Sequence, residues 1–515
     1  MPAERSVLAS PSSPLIARGW LHLWVIAGSG LYLYFSLFTL RGVPFLLSGD
    51  QVFYWMDSVR MMAGERIYRD FFKFTPPGTD MTYLGAFRLF GLHLWVPNLI
   101  VLVLGVLLCW LCFSIADQFM RRSEALLAAT IVAVVLYGKL LNATHHWFSE
   151  VAVLGAVAVL MRQRRAARIV LAGSLLGVAT FITQTRGPAA AAGLTIYFLW
   201  DRYHGSSSRP LPFRRVLLLL APLFVVWLGL SAHFIAAVGW RQLWYWQVAY
   251  AAHFKVSGAI TLGLPLFAHG HGLFDYTQAL LVYLLLPVVY LLSLWTCVTR
   301  RPEPVDRASE RRALLTFVGV ATALEVAQSP NWLRVYCVAA PGILLLVWGM
   351  SQAGKLKPYL IGMAWAGLVC LAAHQLWARH RDESALVELP AGRVAAVKPA
   401  ADKLAWIGQR TRPGDFFFEP QWPGVYLPLL LRNPIYAEGL GATEETRPEF
   451  VAQAIQQMEA KQVRYILWSP RLNEAQAAEP NASKTNVLAP FRTFMNERYA
   501  RIWVFPDRDE LWELR

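Results

Sequence analysis

Residues 48–80, SGDQVFYWMDSVRMMAGERIYRDFFKFTPPGTD, are too polar to cross a bilayer. They nevertheless follow directly on an apolar run, Trp20 to Leu40, that is long enough to cross one. That run exceeds a signal-peptide core and has no small-residue cleavage site behind it, so it is expected to persist as a first span. Where the polar stretch lies then depends on the rest of the chain.

Of 515 residues, 56% are hydrophobic and only 16% are charged, too apolar a balance for a single soluble core. Runs that reach or approach spanning length lie at about 20–40, 95–117, 124–141, 147–161, 169–185, 188–200, 216–237, 277–298, 313–327, 335–350 and 358–378, which predicts about eleven transmembrane helices. The net charge of +15 does not indicate nucleic acid, because the basic residues fall in short clusters between apolar runs. Arg121-Arg122, RQRRAAR at 162–168, Arg202 to Arg215, RRPEPVDRASERR at 300–312, and Lys355 with Lys357 all fall on one side, which the positive-inside rule makes cytoplasmic. NATHH at 142–146, the turn near Arg186, the segment 238–275 and SPNWLR at 329–334 then face outside, edged by Trp95, Trp147, Trp240, Trp244, Trp246 and Trp332.

With the N-terminus inside and an odd number of spans, the first loop, 41–94, and everything from residue 380 onward are external. The tail alternates strand-like runs (DFFFEP at 415–420, RYILWSP at 464–470, ARIWVFP at 500–506) with helical patterns at 449–462 and 488–499. The expected organisation is a mainly α membrane bundle over 1–379 and a small external α/β domain over 380–515. The five cysteines, Cys109, Cys112, Cys297, Cys337 and Cys370, sit in or beside apolar runs and imply neither a disulfide framework nor a zinc site.

Within the quoted stretch, Val52, Trp55, Met56, Val59 and Met62 mark one face of a helix that Ser48 or Asp50 can cap and Gly64 can end. The expectation is a helix in the outer interface, Asp57 and Arg60 toward water, followed by an extended chain stiffened by the proline pair. An anchor of this kind does not account for Asp50, Arg60, Arg66, Arg69, Asp70 and Lys73 crowding on a side from which basic residues are normally excluded. Such a crowd suits an anion, and at a membrane surface a lipid phosphate.

The acidic residue just past the first span, a helix ending in AGERIYRDFF at 63–72 and the PPG turn at 76–78 resemble the first external loop of bacterial GT-C glycosyltransferases. The likeness is to the group of the protein O-mannosyltransferases and the lipid A aminoarabinose transferase. It is close over 48–91 and looser over the whole chain, with RPGDFFFEPQWPGVYLPLLLRNP at 412–434 and QVRYILWSP at 462–470 similar to the external domain of many such proteins. The resemblance implies a GT-C fold and inverting transfer of a sugar from a polyprenyl-phosphate carrier to a glycan, lipid or protein acceptor. The reaction would take place at the outer face of the cytoplasmic membrane. Asp50 matches the acidic position and would act as general base. Many relatives carry a second acid directly after it, where this chain has Gln51.

Displacement at an anomeric carbon needs a base for the incoming hydroxyl and positive charge for the departing phosphate. Arg60, Arg66, Arg69, Lys73 and Arg334 are the candidates for the phosphate, each also readable as a basic residue meeting ordinary headgroups. Asp50 is equally readable as a helix cap. Asp70, His145, His146, Glu150, Trp244, Trp246 and His253 are candidates for the acceptor or sugar site. The His-His-x3-Glu group could also take a divalent cation, the one cofactor the sequence suggests, or simply be solvated, and the tryptophans could form an interface belt. A transporter or lipid flippase is the rival function, but Asp117, Lys139, Glu150 and Glu325 fall near span ends instead of mid-bilayer. A noncatalytic envelope scaffold stays open because of Gln51.

Overall fold

The computed structural model describes residues 15–204, 212–250, 252, 280–299, 306–327, 332–441, 446–473 and 486–515. Every apolar run read from the sequence falls largely on helix over its described residues. In chain order the helices are α1 (Leu15–Leu37), α2 (Gln51–Met62), α3 (Gly78–Phe90), α4 (Trp95–Ala116), α5 (Arg122–Ile131, continuing as a π-helical turn Val132–Tyr137), α6 (His145–Arg162), α7 (Ala166–Ile182) and α8 (Arg186–His204). They continue with α9 (Pro212–Val238), α10 (Trp240–Trp244, running into a π turn Tyr245–Tyr250), α11 (Leu286–Thr299), α12 (Arg307–Val326), α13 (Trp332–Val338), α14 (Ala340–Ser351) and α15 (Lys357–Asp382). The expected span at 335–350 is two helices, because Pro341 in the first turn of α14 cannot continue α13.

Among the described residues, four helical segments are by themselves long and apolar enough to cross a membrane: Gly19–Leu37, Trp95–Ala116, Pro212–Val238 and Gly354–Asp382. Their outer faces carry large exposed apolar side chains, such as Trp24 at 69%, Val225 at 67% and Met363 at 72%. A belt of this size would be a liability in water and is at home in hydrocarbon. The chain is a multi-pass membrane protein. Helix contact inside the bundle relies on small residues: a Cβ on Gly177 of α7 would come 2.6 Å from the Leu223 carbonyl of α9.

After α15 the chain forms a hairpin of β1 (Ala385–Leu389) and β2 (Gly392–Ala396), then α16 (Lys398–Gly408), β3 (Phe417–Phe418), α17 (Tyr426–Leu429), α18 (Pro448–Ala460), β4 (Tyr465–Trp468), α19 (Ala489–Arg498), β5 (Tyr499–Val504) and β6 (Glu510–Leu514). The larger sheet has the order β3-β4-β6-β5, with β3 parallel to β4 and β6 antiparallel to both neighbours. The strands and helices read from the tail are present, while α16, α17, the β1–β2 hairpin and β6 are additions. That hairpin is stitched to the chain leaving α1: Leu46 N–H donates to the Ala395 carbonyl at 2.8 Å and Ala395 N–H to the Pro44 carbonyl at 2.9 Å. The C-terminal segment and the first loop therefore pack as one layer.

The first loop differs from expectation in one respect. α2 ends near Gly64, whose φ of +95° suits glycine, but it is no surface helix with a wet polar face. Asp57 and Arg60 are 0% and 3% exposed. Of the apolar face read from the periodicity, Val52, Trp55, Met56 and Val59 are buried while Met62 at the helix end is exposed, and the opposite face meets protein. Arg60 donates to Glu65 at 2.7 Å and to the Ile435 carbonyl at 2.9 Å, and Asn433 lies 3.1 Å from the Met56 sulfur. The PPG turn ends at Gly78, where a Cβ would come 2.7 Å from Ile182, so α3 can pack directly against the end of α7.

Candidate active site

A cavity of about 470 Å³ opens where the first loop, α13 and the C-terminal segment meet. Asp50, Phe53, Tyr54, Lys73, His145, Arg334, Trp422, Glu438 and Arg471 are among its lining residues. Asp50 occupies the residue before α2, with φ −52° and ψ −19°, and its side chain accepts no hydrogen bond from the helix. A cap at this position would hold β-region angles and satisfy an N–H. Asp50 instead lines the cavity and is solvent-exposed. The surrounding protein displaces enough water to raise its pKa above the ordinary aspartate value, with the positive charges of Arg334 and Lys73 pulling it back.

Lys73 is held from every side. Its ammonium lies 2.6 Å from Asp57, 2.5 Å from Glu438, 3.3 Å from Asp80 and 4.3 Å from the centroid of the Tyr54 ring. Burial favours the neutral amine, but the three carboxyls outweigh it and keep the ammonium protonated well above the usual lysine range. Three carboxylates around one ammonium would leave a net charge of −2 in a buried site. Desolvation accordingly pushes Asp80 well up and Glu438 up to about 7.

The remaining candidates divide. His145 lines the cavity, its Nδ1 2.5 Å from the Tyr54 hydroxyl and its ring centroid 3.9 Å from that of His146. Glu150 is fully buried, 3.3 Å from Arg186, which reaches Glu325 at 3.2 Å. Among the described residues no three His, Cys, Asp or Glu side chains are grouped to hold a metal ion. Arg60 is a buried brace behind the cavity wall. Arg66 is exposed and Arg69 pairs with Asp70 at 2.8 Å on the surface, and none of the three lines the cavity. Trp246 is buried behind the wall, 4.8 Å from Phe72 and 5.6 Å from Tyr250, both lining residues; Trp244 is 49% exposed. His253 and the Trp332 side chain lie outside the described residues.

Several residues at this site escaped the sequence reading: Tyr54, Asp57, Asp80, Trp422, Glu438 and Arg471. Glu438 stands four residues beyond the 412–434 phrase, and its partner is 365 residues away, so no local pattern announces the pair. Gln51, which breaks the paired-acid pattern, is completely buried: its amide donates to the Ser48 carbonyl at 2.8 Å and the Leu141 carbonyl at 3.4 Å, and its oxygen accepts from Ala143 N–H at 3.2 Å. It ties the site to the loop before α6.

No protein-family model and no curated protein sequence matches the chain. Solved structures do. ArnT from Cupriavidus metallidurans, bound to undecaprenyl phosphate, superposes with a TM-score of 0.59 at 14% identity over 96% of this chain and 98% of that one. The archaeal oligosaccharyltransferase AglB from Archaeoglobus fulgidus, in complex with an inhibitory peptide and a dolichol-phosphate, gives 0.51 at 14% identity over 98% and 75%. The likeness is one of fold, and at that level the resemblance to the GT-C group holds.

Proposed function

We propose that this GT-C-fold chain is a membrane glycosyltransferase that moves a sugar from a polyprenyl-phosphate carrier to an acceptor hydroxyl. The cavity faces the outside of the cytoplasmic membrane, in a bundle of about eleven spans with an external C-terminal domain. One observation carries the reading: a carboxyl not used as a helix cap faces a cavity in the company of Arg334 and Lys73. The polyprenyl phosphates bound to the two structural neighbours lend it support.

In this reading the acceptor oxygen attacks the anomeric carbon from the side opposite the phosphate and inverts it. The bond from that carbon to the phosphate oxygen breaks, its electron pair leaves with the phosphate, and the acceptor proton passes to Asp50. A carboxylate of raised pKa is the stronger base for that transfer. Arg334 is positioned to meet the phosphate, where a guanidinium can bind two oxygens at once. Lys73 already contacts three carboxyls and acts through its field and by holding the wall, while Arg66 and Arg69 suit ordinary lipid headgroups. Gln51 leaves the chemistry to a single carboxylate.

The test begins with mass spectrometry of lipid that co-purifies with the protein, to identify the carrier-linked sugar. Release of carrier phosphate from that donor is then followed for wild type and Asp50→Asn. A loss of about 10²- to 10⁴-fold with the fold retained is expected. Solute or lipid flux in sealed vesicles that survives Asp50→Asn, without donor cleavage, would support a transporter instead.

A further inference from the structure

The turn between β3 and α17 is built to present one side chain. Glu419 closes it: its Oε2 accepts Val425 N–H at 3.1 Å, and its own N–H donates to the Tyr426 hydroxyl at 3.1 Å. That carboxyl is half-buried, and desolvation pushes it up to about 8. The backbone is pinned as well, since Leu440 N–H donates to the Pro420 carbonyl and Gly424 N–H to the Trp422 carbonyl, both at 2.7 Å. Pro420 and Pro423 remove further freedom. A side chain as apolar as Trp422 would ordinarily fold into the core beneath. Here it stands 41% exposed on the cavity wall, edge-on to Phe53 with ring centroids 5.6 Å apart. Phe53 is one helical turn from Asp50, and Trp422, Phe53 and Asp50 line the same cavity.

We infer that Trp422 is the stacking platform for a saccharide acceptor, which makes the acceptor a glycan and not a peptide or an unglycosylated lipid. This rests on the transfer reading above. A pyranose ring has an apolar C–H face and a polar rim. An indole face supplies the first complement, and Gln421, Arg471, Glu438 and Asp50 around the same cavity supply the second. A lipid chain would want a continuous apolar wall, which these polar groups interrupt. The rigid turn also lowers the ordering cost of binding. A sugar seated on Trp422 would share the cavity with Asp50, within which a hydroxyl can be offered to that carboxylate.

The test uses the full-length protein in detergent with two readouts. Saturation-transfer NMR is run with gluco-, manno-, galacto- and N-acetylglucosamine tetrasaccharides, a serine/threonine-rich octapeptide and phosphatidylglycerol. Kinetics use the co-purifying donor with whichever probe binds. Saccharide binding lost in Trp422→Ala and restored in Trp422→Tyr, with the acceptor KM raised about 10- to 30-fold and kcat far less affected, supports the assignment. Trp503→Ala, on the distant edge strand, should match wild type. Donor cleavage that depends on Asp50 but comes with peptide or phosphatidylglycerol binding, or a Trp422→Ala effect on donor KM alone, would overturn the platform and leave the transferase standing. Trp422-dependent saccharide binding without donor cleavage would support the platform and overturn the transferase.

Discussion

Glu438→Gln isolates the contribution of surplus negative charge where the first loop meets the C-terminal segment. In the wild type the Glu438 carboxyl is raised from its ordinary 4.5 to about 7, chiefly by desolvation, with Lys73 pulling it down and Asp57 pushing it up. The folded protein therefore holds this proton more tightly than the unfolded chain does. The resulting stabilisation is complete below 4.5 and fades as pH rises through about 7. Each tenfold difference in proton affinity is worth about 1.4 kcal/mol, so the swing is at most about 3–4 kcal/mol, and the raised Asp80 carboxyl works in the same direction. Glutamine keeps the shape and a hydrogen bond to Lys73 but cannot ionise. Thermal and proteolytic stability in one detergent, measured from pH 5 to pH 9, should fall with pH for the wild type and be flatter for Glu438→Gln. The variant should equal or exceed the wild type at the alkaline end. Parallel pH dependences for the two proteins, or a stability that rises with pH in both, would show that the cluster carries no surplus negative charge.

Lys73→Met removes the cation that pairs with buried Asp57 and Asp80 and half-buried Glu438, and breaking a buried pair this way should cost about 3–5 kcal/mol, visible as a large drop in thermal stability. Gln51→Glu, although it would place a second acid directly after Asp50, should destabilise by about 1–3 kcal/mol because a carboxylate would face two carbonyl oxygens that now accept hydrogen bonds, as thermal melts would show. Gly177→Val should lower the yield of folded protein on size exclusion, since α7 and α9 could not keep their approach. If transfer uses Asp50 as base, the rate should rise with pH through a midpoint above the ordinary aspartate value of 3.8, and a limb at or below that value would count against the environment described.

Much of the architecture was open to sequence reading because long apolar runs and charge alternation are local signals. Over the described residues each run from Trp20 to the end of α15 falls largely on helix, and β3, β4, β5, α18 and α19 lie where the strand-like runs and helical patterns of the tail place them. The hairpin β1–β2 was missed because its residues alternate only weakly and it is held by pairing with Pro44 and Leu46, far away in sequence. Asp57 and Arg60 were assigned to water because helical periodicity tells which face is apolar but not whether the other face meets solvent or a second layer of protein. Asp50 was identifiable through a resemblance; Lys73 could be picked out as a cation, but not the three carboxyls that surround it. Buried charge clusters assembled from distant segments leave no periodic trace.

The proposed function stands or falls with the Asp50 carboxyl performing chemistry in its cavity. Single-turnover release of carrier phosphate from the co-purified donor by the full-length protein, comparing wild type with Asp50→Asn at matched thermal stability, decides it. The rate should collapse in the folded variant while the donor stays bound. An unchanged rate would leave Asp50 without a chemical role.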